Sequence, residues 1–402
     1  MLNIYILIFF IIIIIILVII AYIKIKFGFW TIQPVFHIYD IGYMIWPPGI
    51  ISHELPTVNK YTNLKNIKMH NFNSLSEIKI NKIINFIKTN YLQNKENIFI
   101  PENNNVIPYF KGHNYPALIT FYNTDIIIND LKKGTMISDE KINGIMTTRP
   151  ICVTINSDNN KDSKPKFDAY YVDYLCVDKM NRKQGIAPQI IQTHHYYQSH
   201  MVKNISVSLF KREEELTGIV PLCFYYTYGF SVKKWHKPLD LHAIYKIIEI
   251  NPQNIHNLFD FIKNNNKKFD ILINTSESNI IELIKTNNIF IICLMKDDEI
   301  LSCYFYRKTC TFIEKNMEIL SCFASINNTN NDIFIQGFKI SFWNIAAKYY
   351  FGYAAIENIS HNDLIINNLT KKTKPDIISP TAYFFYNFAY HTFKANKVLI
   401  IN

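Results

Sequence analysis

Tyr170-Tyr171-Val172-Asp173-Tyr174-Leu175-Cys176-Val177, followed by Arg182-Lys183-Gln184-Gly185-Ile186-Ala187-Pro188, is the stretch on which the fold turns. Its aromatic and β-branched run predicts a strand at 169–177, and the basic turn after it opens a helix over about 186–200. Main-chain N–H groups at a helix start, with Arg182 and Lys183 beside them, suit phosphate oxygens. Gly185 lets a backbone or ligand come close, and Ala187 keeps side-chain bulk away. Pro188 is tolerated in a first helical turn. The spacing Arg-x-x-Gly-x-Ala differs from the dinucleotide and P-loop fingerprints. Taken alone, an ordinary strand-to-helix turn with solvated basic residues would carry the same letters.

Working outward, strands are predicted near 117–122, 144–155, 205–210 and 222–228, with a charged loop near 156–166. Upstream, Ser74-Leu75-Ser76-Glu77 has a capping-box pattern and opens a helix with Ile80, Ile83, Ile84 and Ile87 on one stripe. Downstream, the β-rich run 244–250 meets Asn251-Pro252, a helix start, and Ile255, Leu258, Phe259 and Ile262 repeat the same stripe. A hairpin about Asp297-Asp298, a strand near 317–325, a helix near 335–350 and a β-rich end from Ala382 complete the chain. The two halves share an element order, which suggests a duplicated α+β unit.

The 402 residues, 49% of them apolar, can bury substantial cores. A net charge of +10 comes from scattered lysines, without the clustered basic element that nucleic-acid binding requires. Seven cysteines, an odd number without Cys-x-x-Cys spacing, read as reduced thiols. His194, His195 and His200 lack both an i, i+4 pair and a nearby carboxylate, so no metal site is expected. Cys176 sits mid-strand without a partner base and reads as packing, and Lys211 to Glu215 reads as a solvated loop.

From Leu2 to Ile23 there is no charge, and Ile11 to Ile16 is unbroken isoleucine. About 20 apolar residues match a hydrocarbon core of about 30 Å. A basic start and a small-x-small cleavage site, which mark a signal peptide, are lacking. Residues 1–24 are therefore expected to anchor the chain in a membrane as one transmembrane helix. Lys24 and Lys26 follow it directly, which places the body in the cytosol by the positive-inside bias. Sequons such as those at Asn204 and Asn274 are accounted for by the Asn-rich composition. The arm from Phe27 to Asn73, carrying Pro34, Pro47, Pro48 and Pro56, reads as extended and irregular.

Three stretches together resemble the N-myristoyltransferase family. Phe29-Trp30-Thr31-Ile32-Gln33-Pro34-Val35 is similar to its Phe-Trp-x-x-Gln-Pro-Val entry segment. The family's Phe-Leu-Cys-Val signature, continued to its Ala-Pro, lies without gaps over Tyr174 to Pro188, and Arg182 to Ala187 also resembles the pyrophosphate loop of GNAT acyltransferases. Phe385-Tyr386-Asn387-Phe388 and Lys397 to Asn402 resemble the family's terminal segments. The resemblance covers about 27–402.

It implies an α+β fold of two GNAT-like halves with pseudo-twofold symmetry, here 25–235 on the acyl-CoA side and 236–402 on the peptide side. It implies direct transfer from acyl-CoA, myristoyl-CoA in the family, to the N-terminal glycine of a peptide or protein, by a monomer without a metal. The amides of Tyr174 and Leu175 are implied as the oxyanion hole, and the terminal carboxylate on Asn402 as general base. Gly28, Phe29, Trp30, Cys176, Val177, Lys183, Gly185, Ile186 and Ala187 fall on acyl-CoA-contacting positions, with Arg182 beside them. Three departures stand out. Gly185 replaces a basic residue, Thr227 replaces a histidine in 220–228, and the family's Phe-Asp-Tyr peptide loop is not recognisable around Phe99 to Asn105. An N-acetyltransferase of the GNAT type and a catalytically silent membrane adaptor of the same fold stay open as alternatives.

Overall fold

Lys166–Val177 is a strand, and it lies inside a sheet that has fifteen strands among the described residues. The computed structural model describes residues 2–92, 97–130, 135–156, 165–213, 218–233, 235–313 and 317–402, so most of the expected charged loop at 156–166 lies outside the described residues.

The same order of pairings occurs twice along the chain. In the first occurrence, strand Ile67–Asn71 and helix Glu77–Asn90 precede an antiparallel meander of Leu118–Asp130, Thr135–Ile155 and Lys166–Val177. Helix Ile186–Met201 then leads to a parallel neighbour, Ser208–Glu213. In the second, strand Tyr245–Glu249 and helices Ile255–Asn265 and Glu277–Lys285 precede the meander Ile289–Lys296, Glu299–Ile313 and Met317–Asn327. Helix Asn331–Tyr349 leads to the parallel strand Tyr353–Glu357. The last strand of each set crosses over. Cys223–Ser231 pairs with Tyr353–Glu357, while Ile377–Tyr386 pairs with Ser208–Glu213, and these two exchanged strands pair with each other from Ile377↔Gly229 to Tyr383↔Cys223. This exchange joins both sets into one sheet.

Several boundaries differ from the sequence expectation for local reasons. Ser76, not Ser74, caps the first amphipathic helix: its side chain accepts from the Lys79 amide, while Ser74 Oγ donates to the Asn71 carbonyl. Asn251 Oδ1 accepts from the amides of Gln253 and Asn254, and this Asx turn delays the second helix to Ile255. The hairpin about Asp297-Asp298 forms as expected, both residues having positive φ (48° and 62°), which matches the right-handed twist of its strands. The segment 27–73 is less irregular than its prolines suggest. Gly49–Ile50 pairs with Phe388–Ala389, and Ile67–Asn71 joins the large sheet.

Both faces of the sheet are covered. Helix Asn331–Tyr349 packs so closely that a Cβ at Gly337 would lie 2.5 Å from the Tyr304 hydroxyl. At one edge the terminal strand Val398–Ile401, buried throughout, runs parallel to Ile271–Asn274, which pairs antiparallel with Thr135–Ile155. The seven cysteines are free thiols, six of them buried. Helix Leu2–Lys26 projects with nearly all of its described side chains, from Ile4 on, exposed, and its 23-residue stretch Ile4–Lys26 is long and apolar enough to cross a membrane.

Candidate functional site

Strand Lys166–Val177 carries an irregularity that organises the site. Against Thr135–Ile155 its register passes from Thr148↔Val172 to Met146↔Leu175, so Asp173 and Tyr174 face the single residue Thr147. That is a β-bulge, which bends a strand and re-aims its side chains. On its other edge the strand meets Ser208–Glu213 only at Tyr170↔Ser208 and Tyr171↔Leu209. Beyond that point the two strands part, and three clefts open around the gap.

The first cleft, about 540 Å³, is lined by the loop singled out in the sequence: Leu175, Cys176, Val177, Arg182, Lys183, Gly185, Ile186, Ala187 and Pro188, with Asn90, Tyr91, Leu92 and Asn181 opposite. Gly185 is the N-cap of helix Ile186–Met201 in left-handed conformation (φ +75°), and a Cβ there would meet no protein atom within 4 Å. Its demand is therefore on conformation and on room for a ligand. Lys183 shares the positive φ (65°). Arg182 is anchored rather than free: Nη2 donates to the Asn90 carbonyl at 2.5 Å and Nε to the Val177 carbonyl at 3.4 Å. Burial pushes the Cys176 thiol up to about 12, so it is protonated at neutral pH and serves as packing. Replacing Gly185 with valine is expected to cost about 1–2 kcal/mol in backbone strain. It should also weaken coenzyme A binding severalfold in titration calorimetry, whereas Gly185→Asn, better tolerated at that φ, should retain most of it.

The second cleft is an apolar cavity of about 300 Å³ between the parting strands and helix Ile186–Met201. Trp30, Met146, Val172, Leu175, Ile191, Phe210 and Tyr386 line most of it with His194 and His195, and Asp173, Lys211 and Arg212 add a charged part of the wall. Trp30 stacks on Phe210 at 5.7 Å, and Phe29 braces Trp30 edge-on at 5.1 Å. His194 bridges the hydroxyls of Thr120 (2.7 Å) and Thr148 (3.0 Å). Burial lowers the pKa of His194 to about 3 and of His195 to about 4, so both rings are neutral and fit an apolar wall. His113 and His361 are likewise lowered to about 4, first by burial. A depressed imidazole pKa contributes stability above the unfolded value near 6.5 that is lost as pH falls toward 4. Unfolding free energy is thus expected to drop by a few kcal/mol between pH 7 and pH 5. His194→Asn should flatten that slope in denaturant titrations.

The third cleft, about 430 Å³, draws on both repeats: Phe99, Tyr109, Arg149, Asp173, Tyr174, Lys211 and Thr227 from the first, and Arg307, Ser321, Tyr353, Glu357 and Ser379 from the second. Its walls are charged. Arg149, 1% exposed, donates through Nε to both Asp173 oxygens (3.0 and 3.1 Å) and lies over the rings of Tyr109 and Tyr171. Burial raises the Asp173 pKa, with Arg149 pulling the other way. Lys211 lies 3.2 Å from Glu357, which also accepts a short hydrogen bond from Tyr225. Lys211, Arg212 and Glu213 therefore belong to strand Ser208–Glu213 rather than to the solvated loop expected at 211–215, whose last two residues lie outside the described residues, and Glu357 supplies Lys211 with a buried counter-charge. Arg307 donates to the main-chain oxygen and to Oδ1 (3.0 Å) of the buried Asn402.

Tyr91 lines all three clefts, Leu175 the first two, and Asp173 and Lys211 the second and third. The clefts therefore converge at the bulge. Of the sequence-derived residues, Trp30, Leu175, Cys176, Val177, Arg182, Lys183, Gly185, Ile186 and Ala187 meet in the first two clefts, and Tyr174 lies in the third. Gly28, Phe29 and Asn402 line none of the three; Asn402 reaches the third only through Arg307. The Tyr174 amide donates to Thr147 Oγ1 at 3.0 Å, so one of the two amides expected in an oxyanion hole is directed at the neighbouring strand. Sequence reasoning missed Arg149, Asp173, Lys211, Arg307 and Glu357. The available signal was a lone charge inside an otherwise apolar stretch, as at Arg149, or closing an apolar strand, as at Glu357.

No family model matches the chain, and no curated protein matches it in sequence. Among solved structures, Saccharomyces cerevisiae N-myristoyltransferase with bound myristoyl-CoA superposes with a TM-score of 0.69 at 11% identity, covering 92% of this chain and 94% of the other. A second structure of the yeast enzyme with myristoyl-CoA gives the same TM-score and identity over 91% and 89% of the two chains. The fold is thus the one seen in N-myristoyltransferase.

Proposed function

We propose that this chain transfers an acyl group directly from an acyl-CoA thioester to an amine, with a myristoyl donor and the N-terminal glycine of a protein as acceptor. The observation that carries this reading is the convergence of the three clefts at Asp173–Leu175. A basic glycine loop suits the pyrophosphate, a largely apolar cavity suits the acyl chain, and a charged cleft suits an amine. All three meet where a thioester carbon would be attacked. The fold shared with the yeast enzyme, whose structure holds myristoyl-CoA, supports the same assignment.

In this mechanism Leu175 supplies the main amide to the developing oxyanion. Tyr174 joins it if Thr147 releases its amide. Removing one such donor typically costs about 10²–10³ in turnover. The acceptor ammonium, with an ordinary pKa of about 8, gives its proton to the terminal carboxylate of Asn402, to which Arg307 donates a hydrogen bond. Attack by the free amine then forms the amide bond as the thioester C–S bond breaks, and coenzyme A leaves as the thiol. Residues 25–235 hold the donor and 236–402 the acceptor side. Helix Leu2–Lys26 tethers the body to a membrane, with Lys24 and Lys26 favouring the cytosolic face.

The test is acyl transfer to a Gly-starting peptide with a panel of acyl-CoA donors. Myristoyl-CoA should be the best donor and a peptide blocked at its N-terminus should be inert. Preference for acetyl-CoA would favour a GNAT-type acetyltransferase. A second reading, a silent adaptor that binds acyl-CoA without turnover, draws on the Thr147–Tyr174 hydrogen bond; binding of myristoyl-CoA without product would favour it.

A further inference from the structure

The apolar helix does not leave the body on a free tether. Ile23, near its end, is 9% exposed and packs against Gly218. Ile38 donates its amide to the Gly218 carbonyl at 3.2 Å, and His37 bridges Ile219. Lys24 Nζ sits 5.5 Å from the centre of the Tyr39 ring. The point at which the helix departs is therefore fixed against residues 37–39.

From that point the chain presents a run of large apolar side chains to solvent: Ile38 (43% exposed), Ile41 (67%), Met44 (45%), Ile45 (56%) and Trp46 (79%). The run includes the short helix Ile41–Ile45, whose Tyr43 turns inward to meet Phe36 edge-on at 5.8 Å. A segment that half-buries Tyr43 while exposing three isoleucines, a methionine and a tryptophan is suited to an apolar neighbour. Lys24 and Lys26 mark the level at which the helix would meet headgroups, and tryptophan favours that interface.

We propose that Ile38–Trp46 is a second membrane contact, lying in the plane of the bilayer beside the departing helix and fixing the body against the lipid surface. It rests on the reading of Leu2–Lys26 as a membrane anchor and adds an orientation to it. Trp30, four residues past Lys26, lines the apolar cavity, so this contact holds the cavity beside the membrane. An acylated product, which one myristoyl chain binds to membranes only marginally, would be released next to lipid.

The experiment uses the full chain reconstituted in phosphatidylcholine vesicles, with brominated phosphatidylcholine as a tryptophan quencher. The unmodified chain should lose much of its emission to the bromolipid, and Trp46→Phe should remove most of that quenchable component. Ile41→Asp with Ile45→Asp should shift Trp46 emission to the red while the chain still floats with vesicles. Equal quenching of the chain and of Trp46→Phe, with both floating, overturns the in-plane contact and leaves the anchor intact. Failure of the full chain to float overturns the anchor reading and the contact with it. A Trp46-dependent dimer in detergent, without bromolipid quenching, would assign the patch to a second copy and also overturn the proposal.

Discussion

Replacing Arg149 with methionine is expected to lower the unfolding free energy at pH 7 by about 3–5 kcal/mol, the usual cost of leaving one partner of a buried ion pair uncompensated. Arg149 is 1% exposed and Asp173 accepts from its Nε through both oxygens, so solvent offers little replacement. The pH dependence has a definite sign. Burial already raises the Asp173 pKa in the folded chain, and removing Arg149 raises it further. A carboxyl group whose folded pKa is raised favours folding below its unfolded pKa, and that contribution is lost as pH rises through the folded value. The penalty of Arg149→Met should therefore be smaller at pH 5 than at pH 7, relative to the unmodified chain at each pH. Arg149→Met with Asp173→Asn should recover part of the loss, because no charge remains buried. Urea unfolding of the two single variants and the double variant measures this coupling directly. Additive losses would show that the pair does not act as a unit.

Appending residues beyond Asn402 should abolish acyl transfer by about 10²–10⁴-fold, the range that a positioned general base supplies. The site explains why an extension would be poorly accommodated. Val398–Ile401 is buried, the Ile401 carbonyl accepts from the Thr275 amide at 3.0 Å, and Arg307 clasps Asn402. The diagnostic quantity is the split between binding and turnover. Myristoyl-CoA affinity should stay within a few-fold, since Asn402 lines neither the loop cleft nor the apolar cavity. Raising the pH above the amine pKa of about 8 should restore part of the rate by supplying free amine. An extended chain that turns over at the unmodified rate would remove the terminal carboxylate from the mechanism.

What was legible in the sequence follows from local physics. The helix stripe Ile83, Ile84 and Ile87 is buried because its spacing fits one face of a helix. The strand–loop–helix at 166–201 forms where its β-branched run and Gly185 place it. The repeated element order is visible because each repeat carries the same hydrophobic periods. The exchange of Cys223–Ser231 and Ile377–Tyr386 was not visible, since pairing between strands about 150 residues apart depends on tertiary packing that no short window encodes. The bulge at Asp173–Tyr174 was equally hidden: the quoted segment is a near-continuous apolar run that a regular buried strand would also show, and only its mismatch with Thr147 reveals the extra residue. That one residue turns the Tyr174 amide toward Thr147 and places Asp173 between two clefts. The ion pairs of Arg149 and Lys211 were missed because a charge in a strand reads as solvated until its partner is known.

A structure of the chain with a non-hydrolysable myristoyl-CoA analogue bound tests the proposed mechanism most directly. The pyrophosphate is expected on the Arg182–Pro188 loop, the acyl chain against Trp30 and Phe210, and the carbonyl oxygen within about 3 Å of the Leu175 amide nitrogen. An analogue bound with its acyl chain outside that cavity, or with its carbonyl remote from Leu175, would contradict it.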